Sequence, residues 1–226
     1  MTSIVLTEPI EFTKSRFILC EGDDDRAFLE TIISERKLPE FQVRQAAQFN
    51  PDHVGGRSGF VKALEGIRPL PGFLTKLKAI LIVTDNDKLE SSFNDTQRAL
   101  RDNGYTPPPL PREVGMIFDK PVAILMIPTA DAQGDFESLC LPEIFRKWPN
   151  AERCVTDFLD CTGASGWTKQ ASLNKACARA ATVGFHEDDP YKGIGLLFRN
   201  HTLSTLNPCF DGVAEFLRKF DEMVRI

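Results

Sequence analysis

The sequence has no CxxC pair and only three histidines, so its six cysteines cannot join them in a zinc cage of the usual spacing. Those thiols (Cys20, Cys140, Cys154, Cys161, Cys177 and Cys209) stand singly and far apart, which reads as buried free cysteine in a cytosolic chain. No apolar run approaches the roughly 20 residues that a bilayer crossing needs. The stretch 79–83 is typical, and no membrane partner is expected. The opening segment, MTSIVLTEPIEFTKSR, lacks a basic region followed by a long apolar core. No secretory leader is therefore read, and the cytoplasm is the expected compartment. Internal repeats and low-complexity tracts are also missing, which excludes solenoids, fibres and extended disorder. Positive charge is short too, with 27 Lys and Arg against 32 Asp and Glu. The resulting net charge of −5 does not advertise nucleic-acid binding. It does not exclude it, because clustered catalytic acids lower the sum.

What is present is an ordinary globular composition, 42% hydrophobic and 26% charged over 226 residues. That length suits one domain of about 150 residues and an appendage. Four short apolar segments read as buried strands, near 16–20, 41–46, 78–84 and 122–127. Between them lie helical patterns. Phe28, Leu29, Ile32 and Ile33 recur at helical spacing behind the acidic cap Asp23-Asp24-Asp25. Ser58 can cap a helix through Ile67, and 91–103 ends at Gly104. Strands alternating with amphipathic helices predict an α/β fold with a mostly parallel sheet and helices on both faces. Beyond about residue 136 the pattern is helical, with segments at 136–147, 151–160, 168–182 and 209–224. The expected organisation is an α/β domain over 1–150 and a helical C-terminal subdomain over 151–226 packed on it.

In open parallel sheets, functional groups gather at the carboxyl ends of strands. Two strands here run into acidic clusters, Cys20-Glu21-Gly22-Asp23-Asp24-Asp25 and Thr84-Asp85-Asn86-Asp87. If the strands are neighbours, Glu21, Asp85 and Asp87 converge. Carboxylates that close repel by several kcal/mol at intermediate dielectric, and a divalent cation relieves the repulsion. Hard oxygen donors of this kind suit Mg²⁺ or Mn²⁺. The same acids also read as helix N-caps or solvated loop ends.

These residues resemble the Toprim fold of primases, topoisomerases and OLD-like nucleases. Its pattern is a strand ending in Glu-Gly with an Asp a few residues on, then a later strand ending in Asp-x-Asp. Here these are Glu21-Gly22 with Asp24 and Asp25, and Asp85-Asn86-Asp87, about 60 residues apart. The segment Gly134-Asp135-Phe136-Glu137 is similar to a Gly-x-x-Glu stretch of the small stand-alone relatives. The likeness covers 14–141. It implies a Rossmann-like Toprim core and a metal-dependent nuclease acting on DNA or RNA. Glu21, Asp85 and Asp87 would be catalytic; Glu21, Asp25, Asp85, Asp87 and Glu137 would hold Mg²⁺ or Mn²⁺. Two such ions about 3.5–4 Å apart would stabilise the attacking and leaving oxygens of a phosphodiester displacement.

Other residues are open to two readings. Gly55-Gly56-Arg57-Ser58-Gly59 could approach a phosphate, but it lacks the Gly-Lys-Ser/Thr ending of a P-loop. Lys88 and the acid-free stretch with Lys169, Lys175 and Arg179 read as phosphate-facing groups or as solvated side chains. His53, His186 and His201 are scattered and carry no assigned chemistry. A strand-passing topoisomerase is disfavoured because only Tyr105 and Tyr191 exist. A HAD-type phosphatase would want a Thr where Leu89 stands, and a primase would need template-binding modules. The non-catalytic alternative is a nucleic-acid or nucleotide-binding effector subunit working with an ATPase partner in trans. Oligomeric state stays open, a homodimer included.

Overall fold

The fold was analysed in a computed structural model that describes residues 10–49, 55–88, 91–185 and 193–224. Five strands form one sheet: β1 (Arg16–Cys20), β2 (Gln42–Gln45), β3 (Ala79–Asp85), β4 (Gly115–Ile117) and β5 (Lys120–Ile127). Their spatial order is β2-β1-β3-β5-β4. All neighbours are parallel except β4, which pairs antiparallel with β5. The sheet is thus α/β and mostly parallel, as expected, with one short edge strand that the sequence pattern does not reveal.

The strands are continuously apolar because both sheet faces are buried. Successive side chains point to opposite faces. Leu81 and Val83 of β3 enter one core, while Ile80 and Ile82 enter the other. The same alternation splits Ile18 from Phe17 and Leu19, and Ala123 and Leu125 from Val122 and Ile124. One face is covered by α2 (Phe60–Ile67) and α3 (Ser91–Asp102). The other is covered by α1 (Asp23–Glu35), α4 (Phe136–Lys147) and α8 (Asp211–Met223). Ser58 does not cap α2; it lies in a short 3₁₀ turn, and the cap position is Gly59.

The C-terminal helices α5 (Pro149–Cys161), α6 (Gln170–Thr182) and α7 (Ile194–Arg199) extend this second layer. Val213, Phe216, Leu217 and Phe220 of α8 form a buried stripe at three- and four-residue steps. Phe41 stacks on Phe220, and Arg16 of β1 ion-pairs with Asp221. The helical part therefore shares a hydrophobic core with the sheet. No helix of the described residues is long and apolar enough to cross a membrane.

Candidate functional site

The strand order puts β1 directly beside β3, so Glu21 and Asp85 emerge at adjacent carboxyl ends. Glu21 follows β1 and turns toward β3. Its Oε1 accepts from the Thr84 hydroxyl (2.5 Å) and from the Asp85 N–H (3.0 Å). Asp85 reaches the other way, its Oδ1 accepting from Phe136 N–H (2.9 Å) at the first turn of α4. A helix N-terminus favours a negative group there.

The Asp23-Asp24-Asp25 run divides its labour. Gly22 takes the N-cap position of α1, and the three acids fill the first turn. Asp23 pairs with Arg26 (2.6 Å) and Arg199 (3.5 Å). Asp24 accepts from the N–H of Gly195 (2.9 Å) and so ties down α7. A side chain at Gly193 would collide with that carboxylate, which explains the glycine. The Oδ2 of Asp25 accepts from Gly22 N–H (2.9 Å).

One open cleft is lined by Glu21, Asp23, Asp24, Asp25, Asp85 and Glu137 together with Lys175 and Arg179 of α6. Burial and then Glu21 push the Asp25 carboxyl up from 3.8 to about 7, with Glu137 adding to them. Burial, then Asp25, Glu21 and Glu137, raises Asp85 well above the carboxylate range. Burial also raises Glu137, although Lys175 opposes it across 3.5 Å. Lys175 itself is held up by Glu137 and Asp85 in spite of burial.

Asp87 stands apart from this group. Its Oδ1 accepts from Arg57 (2.6 Å) and Ser92 (2.9 Å). Although burial opposes it, these bonds hold the Asp87 carboxyl below its ordinary value. Arg57 also donates to the Asp85 carbonyl (2.7 Å) and to Thr84 (3.2 Å), and lies 3.8 Å from Glu21. Through Arg57 the Gly55–Gly59 loop thus clamps the strand ends, and its Gly56 lines the cleft. Gly56, at φ +67°, lets its N–H donate to the Glu21 carbonyl (3.1 Å).

One participant, Asp135, has a role that its local sequence does not announce. Asp135 caps α4, its Oδ1 accepting from Ser138 N–H (2.8 Å) and from Asn174 of α6 (3.1 Å). Its Oδ2 is buried without a hydrogen-bond partner. Lys175 was readable as a cation, but its place over the acids depends on the packing of α6 against α4. Of the remaining candidates, Lys88 is exposed, and His201 sits beside Glu35 (3.2 Å). His53, His186, Leu89 and Tyr191 lie outside the described residues.

Among the described residues no three His, Cys, Asp or Glu side chains are arranged as a ready ligand set. The donor chemistry nonetheless fits a hard dication. Asp25, Asp85 and Glu137 are oxygen donors that resist ionisation in one another's company, beside the unmatched Oδ2 of Asp135.

An α/β protein with an acidic cleft at the carboxyl ends of neighbouring parallel strands is the class these features define. The chain belongs to the DUF3226 family, described as a protein of unknown function, whose pattern matches residues 15–222. The fold is similar to the crystal structure of hypothetical protein PH0156 from Pyrococcus horikoshii OT3, with a TM-score of 0.53 and 14% identity. That likeness covers 94% of this chain and 95% of the other. No curated protein matches the chain.

Proposed function

We propose that the protein is a Toprim-type, metal-dependent nuclease that hydrolyses phosphodiester bonds of DNA or RNA. The observation that supports it is the convergence of Glu21, Asp25, Asp85 and Glu137 in one cleft faced by Lys175 and Arg179. Acids alone would repel a phosphodiester. Acids that hold a cation, opposed by basic side chains, form a place where a phosphate can sit.

Glu21, Asp25, Asp85 and Glu137 would hold Mg²⁺ or Mn²⁺, which supplies charge neutralisation and Lewis-acid polarisation there. Thr84 and the Asp85 N–H fix Oε1 of Glu21, which sets the orientation of that carboxylate before substrate arrives. Lys175 and Arg179 orient the phosphate from α6. Asp87 takes a supporting part in this reading: paired with Arg57, it braces the end of β3 instead of lining the cleft.

The commitment of Asp87 to Arg57 favours one alternative, a non-catalytic nucleic-acid-binding effector that works with an ATPase partner in trans. The test is nicking of plasmid DNA, and cleavage of an RNA transcript, by purified protein with Mg²⁺ or Mn²⁺. Cleavage that disappears in Glu21→Ala supports the nuclease. Protein that binds nucleic acid yet cleaves neither substrate with either metal would replace it with the effector reading.

A further inference from the structure

The α6 segment has a composition unlike the rest of this acidic chain. From Trp167 to Phe185 it carries Lys169, Lys175 and Arg179 and not one carboxylate. Lys175 and Arg179 lie one turn apart and line the acidic cleft. Large aromatic side chains flank the helix at both ends. Trp167, three residues before α6, is 51% exposed, and Phe185, three residues after it, is 40% exposed. Phe185 is also braced, its ring stacked on Trp148 at 3.5 Å with planes 13° apart.

We infer that α6 and its flanking aromatics form a binding track for single-stranded nucleic acid leading into the cleft, with a base stacked on Trp167. The inference rests on the nuclease reading for what happens in the cleft, and it goes beyond it by naming a single strand as the ligand. Charge selects the ligand: an acid-free helix with two cations, Lys175 and Arg179, and Lys169 at its N-cap complements a phosphate backbone, while the cleft these two cations line is otherwise rich in acids. The aromatics select the strand form. Paired bases in a duplex are already stacked and hidden, whereas unpaired bases offer a free face to a ring. The geometry has the right scale, because the 13 residues of α6 extend about 20 Å, enough for a few nucleotides between Trp167 and Phe185.

The test uses full-length protein and intrinsic tryptophan fluorescence, with Ca²⁺ supplied as a hard dication. Oligothymidine, oligouridine and a blunt DNA duplex of equal length are titrated separately. Fluorescence anisotropy of labelled versions gives the affinities. Single strands should quench the emission, bind more tightly than the duplex and weaken as salt rises. Trp167→Ala should lose the quenching and bind roughly five- to a hundredfold more weakly, the range expected for one base–aromatic stack. Leu74→Ala, exposed just before β3 at its far end from the cleft, should change nothing. Duplex bound as well as single strand, or Trp167→Ala indistinguishable from Leu74→Ala, overturns the track. The two readings fail separately. Plasmid nicking without single-strand quenching removes the track and leaves the nuclease. Quenching lost in Trp167→Ala, with no cleavage under any metal, keeps the track and removes the nuclease.

Discussion

Replacing Asp25 with Asn distinguishes a cation site from ordinary helix capping. Asp25 is the third residue of α1 and returns a hydrogen bond to Gly22 N–H. An amide oxygen of the same reach can accept that bond, so the cap survives the change. The charge does not survive. The folded protein raises the Asp25 carboxyl from 3.8 to about 7, chiefly through burial and the neighbouring Glu21. A proton is therefore held more tightly in the folded chain than in the unfolded one. Stability is complete below about pH 3.8, falls as pH rises toward 7, and is flat above. Three pH units at about 1.4 kcal/mol each set an upper bound of roughly 4 kcal/mol. Solvent in the open cleft screens part of this, so roughly 1–2 kcal/mol is expected. Asp85, which repels Asp25, is raised as well, and the measured slope belongs to the pair.

In EDTA, Asp25→Asn should match the wild type near pH 4 and exceed it increasingly up to pH 7. At pH 8 the midpoint should lie about 2–8 °C higher for a chain of this size. Added Mn²⁺ should reverse the order. Wild type should gain about 1.4 kcal/mol per tenfold rise in metal once the site fills, and the variant much less. Thermal melts followed by circular dichroism, across pH and a Mn²⁺ series, measure both effects. A variant that melts below wild type at pH 8 in EDTA, with an unchanged metal response, refutes the reasoning. Asp25 would then be a cap and nothing more.

Arg57→Ala should cost about 1–3 kcal/mol in EDTA melts, because Asp87, Thr84 and the Asp85 carbonyl lose a shared charged donor; an unchanged melt would show that the clamp contributes nothing. Phe220→Ala should cost about 3–5 kcal/mol by urea titration, since the ring is fully buried against the sheet core. Removing 209–226 should abolish a cooperative melt, and a truncated chain that still melts sharply would make α8 a detachable element. Glu143 is buried and, despite burial, sits below the ordinary carboxylate range because Arg146, Asn207 and Ser204 N–H bond to it. Its contribution is present above about pH 4.5 and lost on acidification, so Glu143→Gln should be destabilised at pH 7 and lose less than wild type between pH 5 and 3.

The strands that frame the site are legible because each is buried on both faces and carries its signal in its own residues. That is why 16–20, 78–84 and 122–127 correspond closely to β1, β3 and β5. β4 is three residues at the sheet edge, with Met116 exposed between Gly115 and Ile117, and too short to show a period. α7 escapes for the same reason: its six residues make little more than a turn and a half. What holds α7 in place is distant in sequence: Phe198 packs against Phe28 (5.2 Å) and Phe210 (5.7 Å), and Asp24, 171 residues away, accepts from the N–H of Gly195.

The site divides along the same physical line. That Glu21 and Asp85 would meet follows from two strand ends and the expectation that the strands are neighbours. That Asp87 would be drawn aside does not follow, because nothing local distinguishes it from Asp85. The difference comes from Arg57, thirty residues earlier, which the positive-φ turn at Gly56 helps direct across both strand ends. One arginine thus draws Asp87 aside while Asp85 lines the cleft. Asp85 is left among Asp25, Glu21 and Glu137, where its charge is disfavoured until something positive arrives. Lys175 answers part of that charge, but it also raises the question of what completes it. Lys175 at Glu137, Arg179 on the cleft lining and Arg57 beside Glu21 oppose the acids from outside, while Asp25 and Asp85 hold their protons above the ordinary range; in the proposed reading a divalent cation would take the place of those protons.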